Sequence, residues 1–153
     1  MADIVDQVTR SRMMSGIKSK NTRPEMLLRR GLHQRGFRFR LHVAGLPGHP
    51  DLFFRKYHAV IFVHGCYWHR HDNCRFATTP KSREEFWLPK FKTPVERDTR
   101  NQKMLKEKGW RVAIIWECAL RPIQAGITID TVAKWLKTNE PWLDLGQFST
   151  RNE

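Results

Sequence analysis

Residues 51–74 read DLFFRKYHAVIFVHGCYWHRHDNC, and the fold turns on them. DLFF and AVIFV are apolar runs of strand length separated by the short polar stretch RKYH. The pair therefore reads as a β-hairpin, with a second strand apolar enough to be buried on both faces. Directly past that strand, HGCYWHRHDNC (64–74) holds three histidines, two cysteines, a tyrosine and a tryptophan, in a chain with only 3 Cys and 7 His. A single metal site takes four such side chains at most. Part of the cluster must do something else.

Upstream, FRFRLHV alternates apolar and polar, with Phe37, Phe39, Leu41 and Val43 on one face, which predicts a strand. AGLPGHP is a turn-rich loop that delivers the chain to Asp51. TRPE (22–25) has capping-box spacing with Pro24 in the first turn. A helix then runs through MLLRRGLHQR and stops near Gly36. Downstream, SREE and TPVE are two more capping boxes, the second starting a helix that ends at Gly109. WRVAIIWE reads as another buried strand, and TIDTVAKWL as a closing helix. The order is helix, three strands, helices, strand, helix: an α/β single domain with a mixed sheet. Residues 1–20, with RSRMMSGIKSK, form a basic N-terminal arm, and 21–153 the folded domain.

The 153-residue chain is 40% hydrophobic with nine Phe and six Trp, which suits one globular core. Its 28 Lys+Arg against 15 Asp+Glu give a formal charge of +13 and a pI near 10.3. That excess favours a polyanionic partner, nucleic acid before membrane, since no stretch is apolar enough to span a bilayer. No signal-peptide core stands in MADIVDQVTRSRMM, and an odd number of cysteines suits a reducing compartment. The expectation is a soluble, cytoplasmic protein.

Cys66, His71 and Cys74 stand at C-x4-H-x2-C, and Cys118 follows the strand WRVAIIWE. A Cys3His set suits structural zinc; reduced thiols beside surface histidines are the alternative. With those four assigned, His64 and His69 remain. Either is an exposed loop histidine, or, held in place by a pinned loop, a general acid or base. Asp51 either closes its turn or holds Mg2+ for phosphodiester chemistry. Many nucleases pair a PD on one strand with an acid-x-Lys on the next, and AVIFV has neither acid nor lysine.

Taken together, LPGHPDLFF, VIFVHGCYWHRH, EFWLPK, VERD and GWRVAIIWECAL resemble the very short patch repair (Vsr-type) mismatch endonucleases, in order, from about residue 9 to 121. The resemblance implies the core of a type II restriction endonuclease that has lost the acid-x-Lys pair. It implies a catalytic Asp51 holding Mg2+ together with the Val63 backbone carbonyl, active-site His64 and His69, and Glu25 from the first long helix. It assigns structural zinc to Cys66, His71, Cys74 and Cys118. Tyr67, Trp68 and Trp87 match aromatic wedges, and Met14 belongs to an arm that embraces DNA. Two departures stand out: Val63 replaces a frequent threonine, and one extra residue separates His71 from Cys74. The implied substrate is double-stranded DNA with a T:G mismatch made by 5-methylcytosine deamination, nicked 5′ of the thymine. Host mismatch-repair proteins are further expected partners of a monomer acting on the prokaryotic nucleoid. The rival readings are a zinc-stabilised DNA-binding module without hydrolysis and a restriction-type enzyme on matched DNA.

Overall fold

The computed structural model describes residues 20–72, 74–77 and 84–146, with the side chains of residues 84 and 87 left out. The expected arm therefore lies outside the described residues except for Lys20, as do Met14, the Trp87 side chain and the SREE cap.

Helix α1 (Arg23–Gln34) begins as its capping box predicts: Thr22 is the N-cap, and its Oγ1 accepts from the Glu25 amide at 3.3 Å. Gly36, at φ 91°, follows its end. The strands β1 (Arg40–Leu41), β2 (Leu52–Phe54), β3 (Ala59–His64), β4 (Arg111–Trp116) and β5 (Trp142–Leu145) form one sheet in that order. β1–β2 and β2–β3 are antiparallel, while β3–β4 and β4–β5 are parallel. The mixed sheet, the hairpin and the buried β3 and β4 agree with the sequence reading.

β3 and β4 place successive apolar side chains on opposite faces. Ala59, Ile61, Ala113 and Ile115 meet Leu28 and Leu32 of α1 and Ile129 and Val132 of α3 (Pro122–Leu136). Val60, Phe62, Val112 and Ile114 pack instead with Leu105 of α2 (Glu84–Glu107). The result is a sheet between two helical layers. Among the described residues no helix is long and apolar enough to cross a membrane.

Four expectations are corrected. The strand over 37–43 shrinks to Arg40–Leu41, because His42 turns to φ 49° and leaves the extended region. TPVE starts no helix, since α2 runs unbroken through Pro89 and Pro94. The carbonyls that lose a helical amide there belong to exposed Glu85 and Lys90, where the loss is least costly. α3 begins at Pro122, well before TIDTVAKWL. Finally, β5 was not anticipated: WLDL is too short to show a period, and its partner is the free edge of β4.

Arg111 fastens the base of the sheet. Its guanidinium donates to the carbonyls of Tyr57, Glu140, Leu136 and Trp135, at 2.6–3.3 Å, joining the hairpin turn, the end of α3 and the approach to β5. Gly31 decides how closely α1 approaches α3, because a Cβ there would lie 2.5 Å from Ile129 Cδ1. Helix propensity alone would favour alanine by about 1 kcal/mol. The clash reverses that sign, and Gly31→Ala is expected to destabilise the fold by roughly 1–3 kcal/mol in urea unfolding. A variant as stable as the parent would show that α1 can ride away from α3 freely.

Candidate functional site

β3 and β4 end in register, His64 opposite Trp116. Cys66 and Cys118 each stand two residues beyond their strand end, so the parallel pairing sets them side by side. The loop after β3 turns back through His69 N–H to Gly65 O (3.1 Å) and His71 N–H to Cys66 O (3.0 Å). Arg70 braces it by donating to the carbonyls of Tyr67 and Ala77. One donor atom from each of Cys66, His71, Cys74 and Cys118 lies within 4.8 Å of every other, and the three cysteines are buried thiols outside any disulfide.

These residues fit a tetrahedral metal. His71 Nδ1 is 3.5 Å from Cys118 Sγ, and two such ligands on one zinc stand about 3.6 Å apart. Contact with Cys118 and burial push the Cys66 thiol far above its ordinary value. Three adjoining thiols cannot ionise together without a cation, and a bound metal removes that obstacle. The His71 ring is stacked on Trp116 at 4.1 Å, and Trp116 Nε1 donates to Asp144 at 2.9 Å on β5. Gly146, just past β5, approaches so closely that a Cβ would lie 2.6 Å from His71 Nε2.

On the other side of the same loop lies a cavity of about 660 Å³ lined by Asp51, Val63, His64, His69, Asp98 and Lys20, among others. The Asp51 carboxylate accepts from the Val63 amide at 2.7 Å, which fixes it against the C-terminal end of β3. Burial raises its pKa to about 7; the Val63 hydrogen bond opposes the shift and the Glu25 charge adds to it. Glu25, in the first turn of α1, is buried. It accepts from Asn21 N (3.1 Å) and Arg29 (3.3 Å), and meets His42 Nε2 at 2.9 Å.

His64 is 4% exposed, stacked on His69 at 3.9 Å with its edge toward Trp116. Burial first, and the His69 charge second, lower its pKa to about 3, so it is neutral at physiological pH. Its Nδ1 has no hydrogen-bond partner among the described residues. His69 Nδ1 faces Asp98 Oδ2 of α2 at 2.5 Å. Tyr67 and Trp68 meet edge to face at 4.9 Å and border a neighbouring cavity of about 690 Å³ against the start of α1. Trp68 is 43% exposed.

The structure thus gathers Asp51, Val63, His64 and His69 on one cavity, sets Glu25 beside Asp51, and gathers the four soft ligands separately. Sequence reasoning passed over His42 and Asp98. His42 occupies a polar position of the expected strand, and Asp98 lies inside VERD, whose carboxylate could be tied to His69 only by folding.

Gly146→Ala should lower bound metal and thermal stability together, because the added methyl displaces His71. Cys118→Ser should do the same through the thiolate itself. Metal analysis beside a melting curve tests both; full occupancy in both variants would put the metal elsewhere.

Comparison with known proteins places this geometry in context. Residues 2–75 match the family model described as DNA mismatch endonuclease Vsr. The DNA mismatch endonuclease Vsr of Escherichia coli is 48% identical over 121 residues, covering 79% of this chain and 77% of that protein. The Type II nicking enzyme V.XorIIP of Xanthomonas oryzae is 46% identical over 125 residues (82% and 91%). The Type II nicking enzyme V.NmeAIP of Neisseria meningitidis is 41% identical over 121 residues (79% and 86%).

Proposed function

The chain belongs to the Vsr family of DNA mismatch endonucleases, and from that premise we propose that it nicks duplex DNA 5′ of the thymine in T:G mismatches left by 5-methylcytosine deamination. The observation that supports this best is the single cavity on which Asp51, His64 and His69 converge at the end of β3, with His69 held by Asp98. A binding module without hydrolysis has no use for that pairing, and the matched-DNA reading draws no additional support from the relatives. The protein would act in the cytoplasm of a bacterium, on the nucleoid, as a monomer, with host mismatch-repair proteins downstream.

Zinc is the metal best suited to Cys66, His71, Cys74 and Cys118. Its part is structural, because all four positions are taken by protein. Mg2+ suits the oxygen donors of Asp51 and the Val63 carbonyl, and when bound it offsets charge developing on the phosphate. Val63 serves there through its backbone, so the absent threonine hydroxyl is not needed. His69 has Nδ1 engaged by Asp98, which leaves the Nε2 lone pair to take a proton from the attacking water. His64, neutral because it is buried, assists at the phosphate as an uncharged imidazole, with Glu25 near Asp51 on the metal side. Tyr67, Trp68 and Trp87 wedge into the stack, and the basic arm of residues 1–20, with Met14, embraces the DNA. A mismatched step is the cheapest place to open it.

Nicking of T:G, C:G and T:A duplexes in Mg2+ tests the reading: only T:G should be cut. Asp51→Ala should abolish nicking and leave mismatch binding. His69→Ala should slow the reaction by about 10²–10⁴-fold, and Asp98→Asn by a smaller factor. An Asp51→Ala protein that nicks at the parental rate removes the mechanism.

The raised pKa of Asp51 has its own consequence. Below about 7 the metal-free carboxyl is protonated, so Mg2+ must displace a proton. Apparent Mg2+ affinity should climb up to about tenfold per unit as pH rises toward 7, then level off. Calorimetric titration across that range checks it; a flat profile means that Asp51 is already ionised.

A further inference from the structure

The imidazole of His42 sits where a magnesium site would be expected to offer only oxygen. Glu25, His42 and Asp51 come from three segments, α1, the end of β1 and the mouth of β2. One donor atom from each lies within 4.8 Å of the others. His42 Nε2 is 2.9 Å from Glu25 Oε2 and 3.9 Å from Asp51 Oδ1, and all three side chains are four-fifths buried or more. Neighbouring ligands on a six-coordinate ion with bonds of 2.0–2.2 Å stand about 3 Å apart, as His42 and Glu25 do.

The backbone is committed to this placement. His42 is held at φ 49°, in the left-handed region that histidine enters more readily than most side chains. Its amide donates to the Asp51 carbonyl at 3.1 Å, which locks it next to the carboxylate. Mg2+ takes oxygen and sheds water reluctantly, whereas imidazole nitrogen favours first-row transition ions.

We infer that His42 is a nitrogen ligand of the ion held by Asp51 and Glu25, and that it turns this centre toward a first-row transition cation such as Mn2+ over Mg2+. The inference rests on the proposed reading of Asp51 as a metal ligand and adds to it the ligand set and metal preference.

The test uses zinc-loaded protein without DNA. Mn2+ binding is followed by loss of the free-ion electron paramagnetic resonance signal, Mg2+ binding by competition, and nitrogen ligation by the 14N modulation of bound Mn2+. His42→Gln keeps a donor for Glu25 but offers no imidazole. It should lower the Mn2+ to Mg2+ affinity ratio by about tenfold or more and remove the 14N modulation. Parental Mn2+ affinity with 14N modulation intact in His42→Gln overturns the inference. So does Mn2+ binding with 14N modulation in Asp51→Asn, which would move the ion to His64, His69 and Asp98. Mn2+ bound through His42 in a protein that nicks no T:G duplex with either metal would support the ligand assignment and reject the mismatch reading. Mismatch nicking with unaltered metal preference in His42→Gln would do the reverse.

Discussion

The in-register parallel pairing of β3 with β4 is the constraint on which the rest depends. Because His64 lies opposite Trp116, the chain leaves both strands at the same edge of the sheet. Cys66 and Cys118 then meet two residues later without any further search. Ligands from elements this far apart in sequence form a site only when something else has already brought them together, and here the ladder does it. A metal at that point would lock the loop whose other face carries His64 and His69. Positioning of the nuclease-like cavity is therefore inherited from the sheet. The carboxyl ends of parallel strands are where α/β proteins commonly place their chemistry.

The two halves of the HGCYWHRHDNC loop are separated by chemistry as well as by side. The three thiols and the His71 ring gather in a corner beside Trp116, whereas His69 meets Asp98 at the wall of an open cavity. His64 lies between them, with its ring against His69 and its edge to Trp116. Soft and hard donors a few ångströms apart would compete for one ion if they shared a pocket. Burial of Cys66, Cys74 and Cys118 keeps the thiols out of that competition, although His71 itself lines a second cavity with His69 and Asp98.

β5 shows how a short strand can matter more than its sequence suggests. It adds four residues to the sheet, yet it brings Asp144 to Trp116 and Gly146 to His71. Both contacts bear on the same histidine. Arg111 at the opposite end of β4 ties the approach to β5 to the hairpin, so both ends of the strand are held.

The sequence by itself determined the elements whose patterns are local. These are the capping box of α1, the hairpin before His64, the doubly apolar β3 and β4, and the basic surplus. It also singled out Asp51, His64, His69 and the Cys66, His71, Cys74 and Cys118 quartet, partly from residue type and partly from a family resemblance spread over many short motifs. Folding alone decided the rest. α2 passes through two prolines because its exposed carbonyls tolerate the loss, and FRFRLHV breaks at His42 because that residue turns out of the extended region to φ 49°. Asp98 reaches His69 from a helix 29 residues away, and His42 reaches Glu25 across 17. Periodicity and capping are short-range signals written along the chain. A contact between a helix face and a loop depends on how layers stack, and no local pattern encodes it.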